Sequence, residues 1–116
     1  MKHHAGTRKL GRERNARRAL LKTLAVSLIR DGRIKTTEAK AKELRPFIER
    51  LVTHAKSDTL AKRRLVISRL GGSDKADKLF SIIGVKYKER NGGYTRIIKL
   101  PNRLNDQSRM ALIEFV

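Results

Sequence analysis

The first 22 residues, Met1 through Lys22, hold eight Lys or Arg and a single acid, a net of +7. Most of that stretch lacks the apolar periodicity needed to pack against the rest of the chain. A segment so charged gains too little from burial to offset the entropy lost on ordering. It is expected to order only on a polyanion. The core must therefore be built from residues beyond this arm, and the charge must be matched by a partner.

The excess is not confined to the arm. The chain carries 29 Lys+Arg against 11 Asp+Glu, a formal net of +18 over 116 residues. A charge of that size opposes compaction and favours phosphate backbones or anionic membranes. The length fits one domain, and 39% hydrophobic residues suffice for a small core after the arm. There is no Cys, which excludes disulfides and thiolate metal sites. No apolar run nears the roughly 20 residues of a membrane span. No apolar signal core succeeds the basic start, so a cytoplasmic location is expected.

Residues 1–12 read as an extended arm, punctuated by Gly6 and Gly11. Fully extended they reach roughly 40 Å. Residues 13–116 read as a single domain. Its first helix spans 13–31 and stops at Gly32. Leu21, Leu24 and Leu28 form the apolar stripe, flanked by Leu20, Ala25 and Ile29. Arg17 lies seven residues before Leu24 and eleven before Leu28, so it shares nearly the same azimuth. A helix buried along its whole length would not place an arginine there. The first turns are expected to project past the core, aiming Arg14, Arg17, Arg18 and Lys22 at something anionic. Cations also conflict with the positive end of the helix dipole, a conflict that a bound phosphate removes.

A strand is expected at 33–36, with Thr36 or Thr37 capping a helix over 38–56. Ala41, Leu44, Ile48, Leu51, Val52 and Ala55 fall on one face of it, and Pro46 interrupts its hydrogen bonding. Ser57-Asp58-Thr59 is a turn and cap before a third helix at 59–70, which Gly71-Gly72 ends. Ser73 is expected to cap a fourth helix, 74–83, bearing Ala76, Leu79, Phe80 and Ile83, with Gly84 as its stop. Residues 85–90 fit either a strand or a helical turn. Strands at 94–100 and 109–115 flank the polar loop Pro101–Ser108. The order α-β-α-α-α-β-β predicts an α+β fold, with helices on one face of a small three-stranded sheet.

No catalytic constellation appears. The chain lacks a Cys nucleophile, a Gly-x-x-x-x-Gly-Lys-Ser/Thr loop and a His-Glu-x-x-His pair. The acids are scattered beside Lys or Arg, as surface ion pairs are. His3-His4 is a poor chelate without a third ligand, although either ring can stack or hydrogen-bond on RNA. His54 reads as structural. Gly92-Gly93 suits either a tight turn or a close backbone approach to phosphate, and Tyr94 either the core or a base stack. Five aromatics provide no extended stacking platform. The chain is read as a non-enzyme that needs no cofactor, metal or small-molecule substrate. A free DNA- or RNA-binding regulator is the rival reading. A peripheral membrane protein would need an apolar face on an interfacial helix, which the chain lacks.

Residues 34–45, Ile-Lys-Thr-Thr-Glu-Ala-Lys-Ala-Lys-Glu-Leu-Arg, closely resemble the signature of the bacterial ribosomal protein L seventeen family. Met1-Lys2-His3 with Arg8-Lys9-Leu10 resembles that family's N-terminus. Lys62-Arg63-Arg64-Leu65 resembles its Arg-Arg-Leu, and Gly92–Ile97 with Met110–Glu114 its C-terminal hairpin. Gly11 stands where the family usually has Asn, and Ala16 where it has His, while Arg12 and Arg17 match. The resemblance implies a structural constituent of the large ribosomal subunit. Its partners would be large-subunit ribosomal RNA and neighbouring ribosomal proteins near the exit-tunnel region. The expected RNA-binding residues are Lys2, His3, Arg8, Lys9, Arg12, Arg14, Arg17, Arg18 and Lys22. Lys35, Thr36, Thr37, Lys40 and Lys42 join them at the second helix start, where amides and cations meet. Arg63, Arg64 and Arg96 complete the set.

Overall fold

A computed structural model describes residues 13–116. Helix α1 (Arg14–Asp31) is an Ala/Leu/Arg-rich run of good helix formers. It ends where the Gly32 N–H reaches the Leu28 carbonyl at 2.7 Å. Strand β1 (Arg33–Thr37) leads into α2 (Glu38–Ala55), and α3 (Leu60–Leu70) comes next. Then come α4 (Ser73–Lys78), a π turn (Leu79–Ile83) and α5 (Gly84–Lys86), which run on without a break. Strands β2 (Thr95–Leu100) and β3 (Met110–Phe115) close the chain.

The expected α+β fold is present. The sheet order is β1-β3-β2, all antiparallel, so the last strand lies in the middle. Ile34 pairs with Ile113, which pairs with Ile97, and these three turn toward the helices. Helix α2 packs against all three strands and against α1 and α3. Its buried residues are Ala41, Leu44, Ile48, Leu51, Val52 and Ala55, the face expected from the spacing. Glu49 ties α2 to β2, since its Oε2 accepts from both the amide (3.1 Å) and the hydroxyl (2.9 Å) of Thr95.

Two local expectations need correction, and one open alternative is decided. Gly84 does not stop the fourth helix. It has helical φ of −60°, and its N–H closes the π turn onto the Leu79 carbonyl. Glycine is required there for space. A Cβ would sit 2.5 Å from the Ala55 carbonyl oxygen, so the bare backbone lets this helix press against the end of α2. Ser73 is not the cap. It is the first helical residue, and Gly72 precedes it at the N-cap without any side-chain bond. Residues 85–90 take the helical alternative, with the Tyr87 N–H on the Ile83 carbonyl at 3.2 Å. Burial of Ile83 and Tyr87 in the core outweighs the alternating polarity that suggested a strand.

Tyr94 is 1% exposed, so it belongs to the core and not to a stacking surface. Its hydroxyl meets Lys56 Nζ at 3.0 Å and Thr53 Oγ1 at 3.2 Å. Burial pushes this phenol's pKa up, but bonds from Lys56, Thr53 and the Gly92 backbone outweigh it and the net shift is downward. Gly92 and Gly93 have φ of 81° and 63°, a left-handed pair that turns the chain into Tyr94 and β2.

Candidate nucleic-acid interface

The buried residues of α1 are Ala25, Leu28 and Ile29, all in its second half. Leu21 and Leu24 pack only partly against the core. The first turns therefore stand clear of it, with Arg14 and Arg18 exposed and Arg17 and Lys22 half-buried. No acid occupies the first turn, and Glu13 at the N-cap makes no side-chain capping bond. Among the described residues, the side chains of Arg14, Arg17, Arg18 and Lys22 make no hydrogen bond or ion pair.

Other cations are differently placed. Arg63 clamps Asp58 at 2.5 and 3.0 Å, lies 4.0 Å from Asp77, and stacks 4.6 Å over the Phe80 ring. That arginine fastens α3 to the loop before it and to α4. Its hydrogen bonds hold the Asp58 carboxyl below its usual pKa. Arg96 bonds Glu114 at 2.6 Å across the sheet, and Arg30 bonds Asp31 at 3.0 Å. Arg103 bonds Asp106 at 2.9 Å; that bond and those from Ser108 hold the Asp106 carboxyl far below its ordinary value. Arg64, adjacent to Arg63 in sequence, is exposed and has no such partner among the described residues.

The start of α2 differs from the cluster of free amides and cations expected there. Thr36 is 9% exposed and faces the core. The Thr37 hydroxyl accepts from the Lys40 N–H at 3.4 Å, and the Glu38 N–H donates to the Arg109 carbonyl at 2.9 Å. Glu38 brings an acid into the first turn and binds Lys42 at 3.3 Å, which lowers its own pKa. Two amides and one cation are thus engaged within the protein, while Lys35 is exposed and Lys40 half-buried. Thr37→Ala is expected to cost about 1 kcal/mol of stability through loss of the cap, read as a lower urea midpoint; an unchanged midpoint would mean that the hydroxyl does not cap α2.

Lys2, His3, Arg8, Lys9 and Arg12 lie outside the described residues. Arg69 of α3 was missed by sequence reasoning. It lines a cleft with Arg18, Leu21, Lys22, Phe47 and Ser68. The only sequence signal was a basic residue in the last turn of a helix, which reads as a complement to the dipole. Its approach to α1 comes from the α1–α3 packing and has no local signature.

Three features of the described residues stand together. A helix leaves the core carrying cations with no partner among the described residues, a small sheet packs on α2, and no metal-binding cluster occurs among the described residues. Residues 20–116 match the family described as Ribosomal protein L17. The chain belongs to the ribosomal protein L17 family. Similar relatives, each named Large ribosomal subunit protein bL17, come from several bacteria. That of Fusobacterium nucleatum is 49% identical over 116 residues, covering all of both chains. That of Sphingopyxis alaskensis is 51% identical over all of this chain and 84% of its own. That of Persephonella marina is 52% identical over all of this chain and 95% of its own. The resemblance carried by residues 34–45 and the three other stretches is thereby borne out. Membership agrees with the non-enzymatic reading, since this is a family of ribosomal structural proteins. No helix among the described residues is long and apolar enough to cross a membrane.

Proposed function

We propose that this chain is a structural constituent of the large ribosomal subunit in the bacterial cytoplasm, holding ribosomal RNA with residues 1–12 and the first turns of α1. In this reading residues 1–12 are a polycationic thread and residues 13–116 a compact wedge. The wedge sits near the exit-tunnel region beside other large-subunit proteins. The observation that carries the RNA assignment is the state of the four α1 cations. They have no partner among the described residues and are concentrated where the core has ended, whereas Arg63, Arg96 and Arg103 are held by acids.

Four neighbouring cations of this kind repel one another, and Arg14 and Arg17 crowd the positive end of α1. RNA phosphates relieve both costs. Arginine adds bidentate bonds to phosphate and stacking that lysine lacks. Affinity then comes mainly from counterion release, and selectivity from RNA shape.

The test is the salt dependence of binding to large-subunit ribosomal RNA. Replacing Arg14, Arg17 and Arg18 together by Ala should flatten the log–log salt slope by about 2 to 3, near 0.7–0.9 for each phosphate no longer neutralised. The melting temperature should hardly move, because none of the three is buried. An unchanged slope would take α1 out of the interface.

A further inference from the structure

We infer that the cleft between α1 and α3 receives one unstacked nucleotide of RNA, its base against Phe47 and Leu21 and its phosphate among Arg18, Lys22 and Arg69. This rests on the proposed RNA binding and adds a base-sized site to it.

The cleft measures about 480 Å³, which is the scale of a small-molecule site. Three helices build it. Arg18, Leu21 and Lys22 come from α1, Phe47 from α2, and Ser68 and Arg69 from α3. Arg18 and Lys22 are four residues apart and so share one helix face, with Leu21 beside them. Phe47 and Leu21 pack against the core while still lining the opening. Leu21 and Phe47 are half-buried apolar walls, while Arg18 and Arg69 are exposed and form a cationic rim with Lys22 beside them and the Ser68 hydroxyl as an added polar group. Among the described residues no acid lines the cleft, and none of its three cations has a partner.

This chemistry suits a nucleotide better than a bare phosphate. A phosphate alone would use the rim and leave the Phe47 ring facing water. A base fills that space and stacks on the ring. The flanking charges favour a continuing strand over an isolated ligand. Arg14 and Arg17 precede the cleft on α1. Lys22 also lines a second groove, on which Lys75 opens. The phosphates on either side of the inserted nucleotide would each find a cation. A single aromatic limits the site to one base, consistent with a chain that has only five aromatics.

The full chain should be titrated with octa-adenylate RNA and with the same strand made abasic, which have equal charge. Wild type should prefer the intact strand by about tenfold, the scale of one base–aromatic stack. Phe47→Leu should abolish that preference and leave abasic binding unchanged, while Phe47→Tyr, which keeps the ring, should retain it. Arg69→Gln should weaken both strands several-fold. Equal wild-type affinity for the two strands, or a preference that survives Phe47→Leu, overturns the base site and leaves the phosphate reading intact. If Phe47→Leu fails to fold, the wild-type comparison and Phe47→Tyr still decide. Displacement of octa-adenylate by an equimolar hexaglutamate peptide would make the cleft a protein-docking site and overturn the proposal. Failure to bind large-subunit ribosomal RNA at all would sink the RNA reading itself.

Discussion

Gly84→Ala should destabilise the protein by on the order of 2 kcal/mol, although alanine is the better helix former. The exchange gains about 1 kcal/mol in helix propensity. Against that, the new methyl would stand 2.5 Å from the Ala55 carbonyl oxygen and 2.9 Å from its carbon. Both atoms are backbone, at the end of α2, and cannot swing away as a side chain could. Relief requires shifting the whole α2–α5 packing, which also carries Ile83, Val52 and Ala55 in the core. Because both clashing atoms are backbone, the overpacking cost falls at the upper end of about 1–3 kcal/mol and exceeds the propensity gain by about 2 kcal/mol. Urea unfolding should show a lower midpoint with an unchanged slope. Val85→Ala, one position along and 64% exposed, is the control and should stay within about 0.5 kcal/mol. A neutral or stabilising Gly84→Ala would mean that the two helices are not pressed together at this point.

Deleting residues 1–12 should leave the remainder folded and lower incorporation into large subunits by on the order of tenfold or more. The buried cluster runs from Ala25 to Ile113, so the remainder retains it whole. The deletion removes Lys2, Arg8, Lys9 and Arg12 and no acid. If each meets a phosphate, the salt slope should fall by roughly 3. Incorporation is best read by sedimentation of tagged chains at moderate salt, beside a melting curve of the truncated protein. Normal incorporation of a folded truncated chain would refute the threading role. Co-sedimentation of the full chain with nucleoid DNA instead of large subunits would favour the regulator reading.

Much of the fold was legible because its helices obey a simple period. On α2 the spacing of six apolar residues named the buried face, and Ala76, Leu79, Phe80 and Ile83 did the same for the helix after Gly72. The azimuth of Arg17 against Leu24 and Leu28 anticipated that the start of α1 stands outside the core. Gly84 was misread because a glycine at a helix end and a glycine at a close crossing look alike in one dimension. The strand order was also hidden. Consecutive β2 and β3 pair as expected, but nothing local says that β1 joins the far edge of β3.

The candidate interface divides in the same way. Chain composition and periodicity established a strongly basic protein with a small α+β core, a charged N-terminal segment and a helix that outruns its packing. The motifs established the family. Tertiary structure decided which cations are available. Arg63 and Arg64 are neighbours of one type on one helix, yet Arg63 is locked by Asp58, Asp77 and Phe80 while Arg64 is open. Arg69 gained its place beside Arg18 and Lys22 only when α3 packed on α1. Periodicity reports which face a residue occupies on its own element. Ion pairing and cleft formation depend on distances between elements, and those exist only once the core has closed.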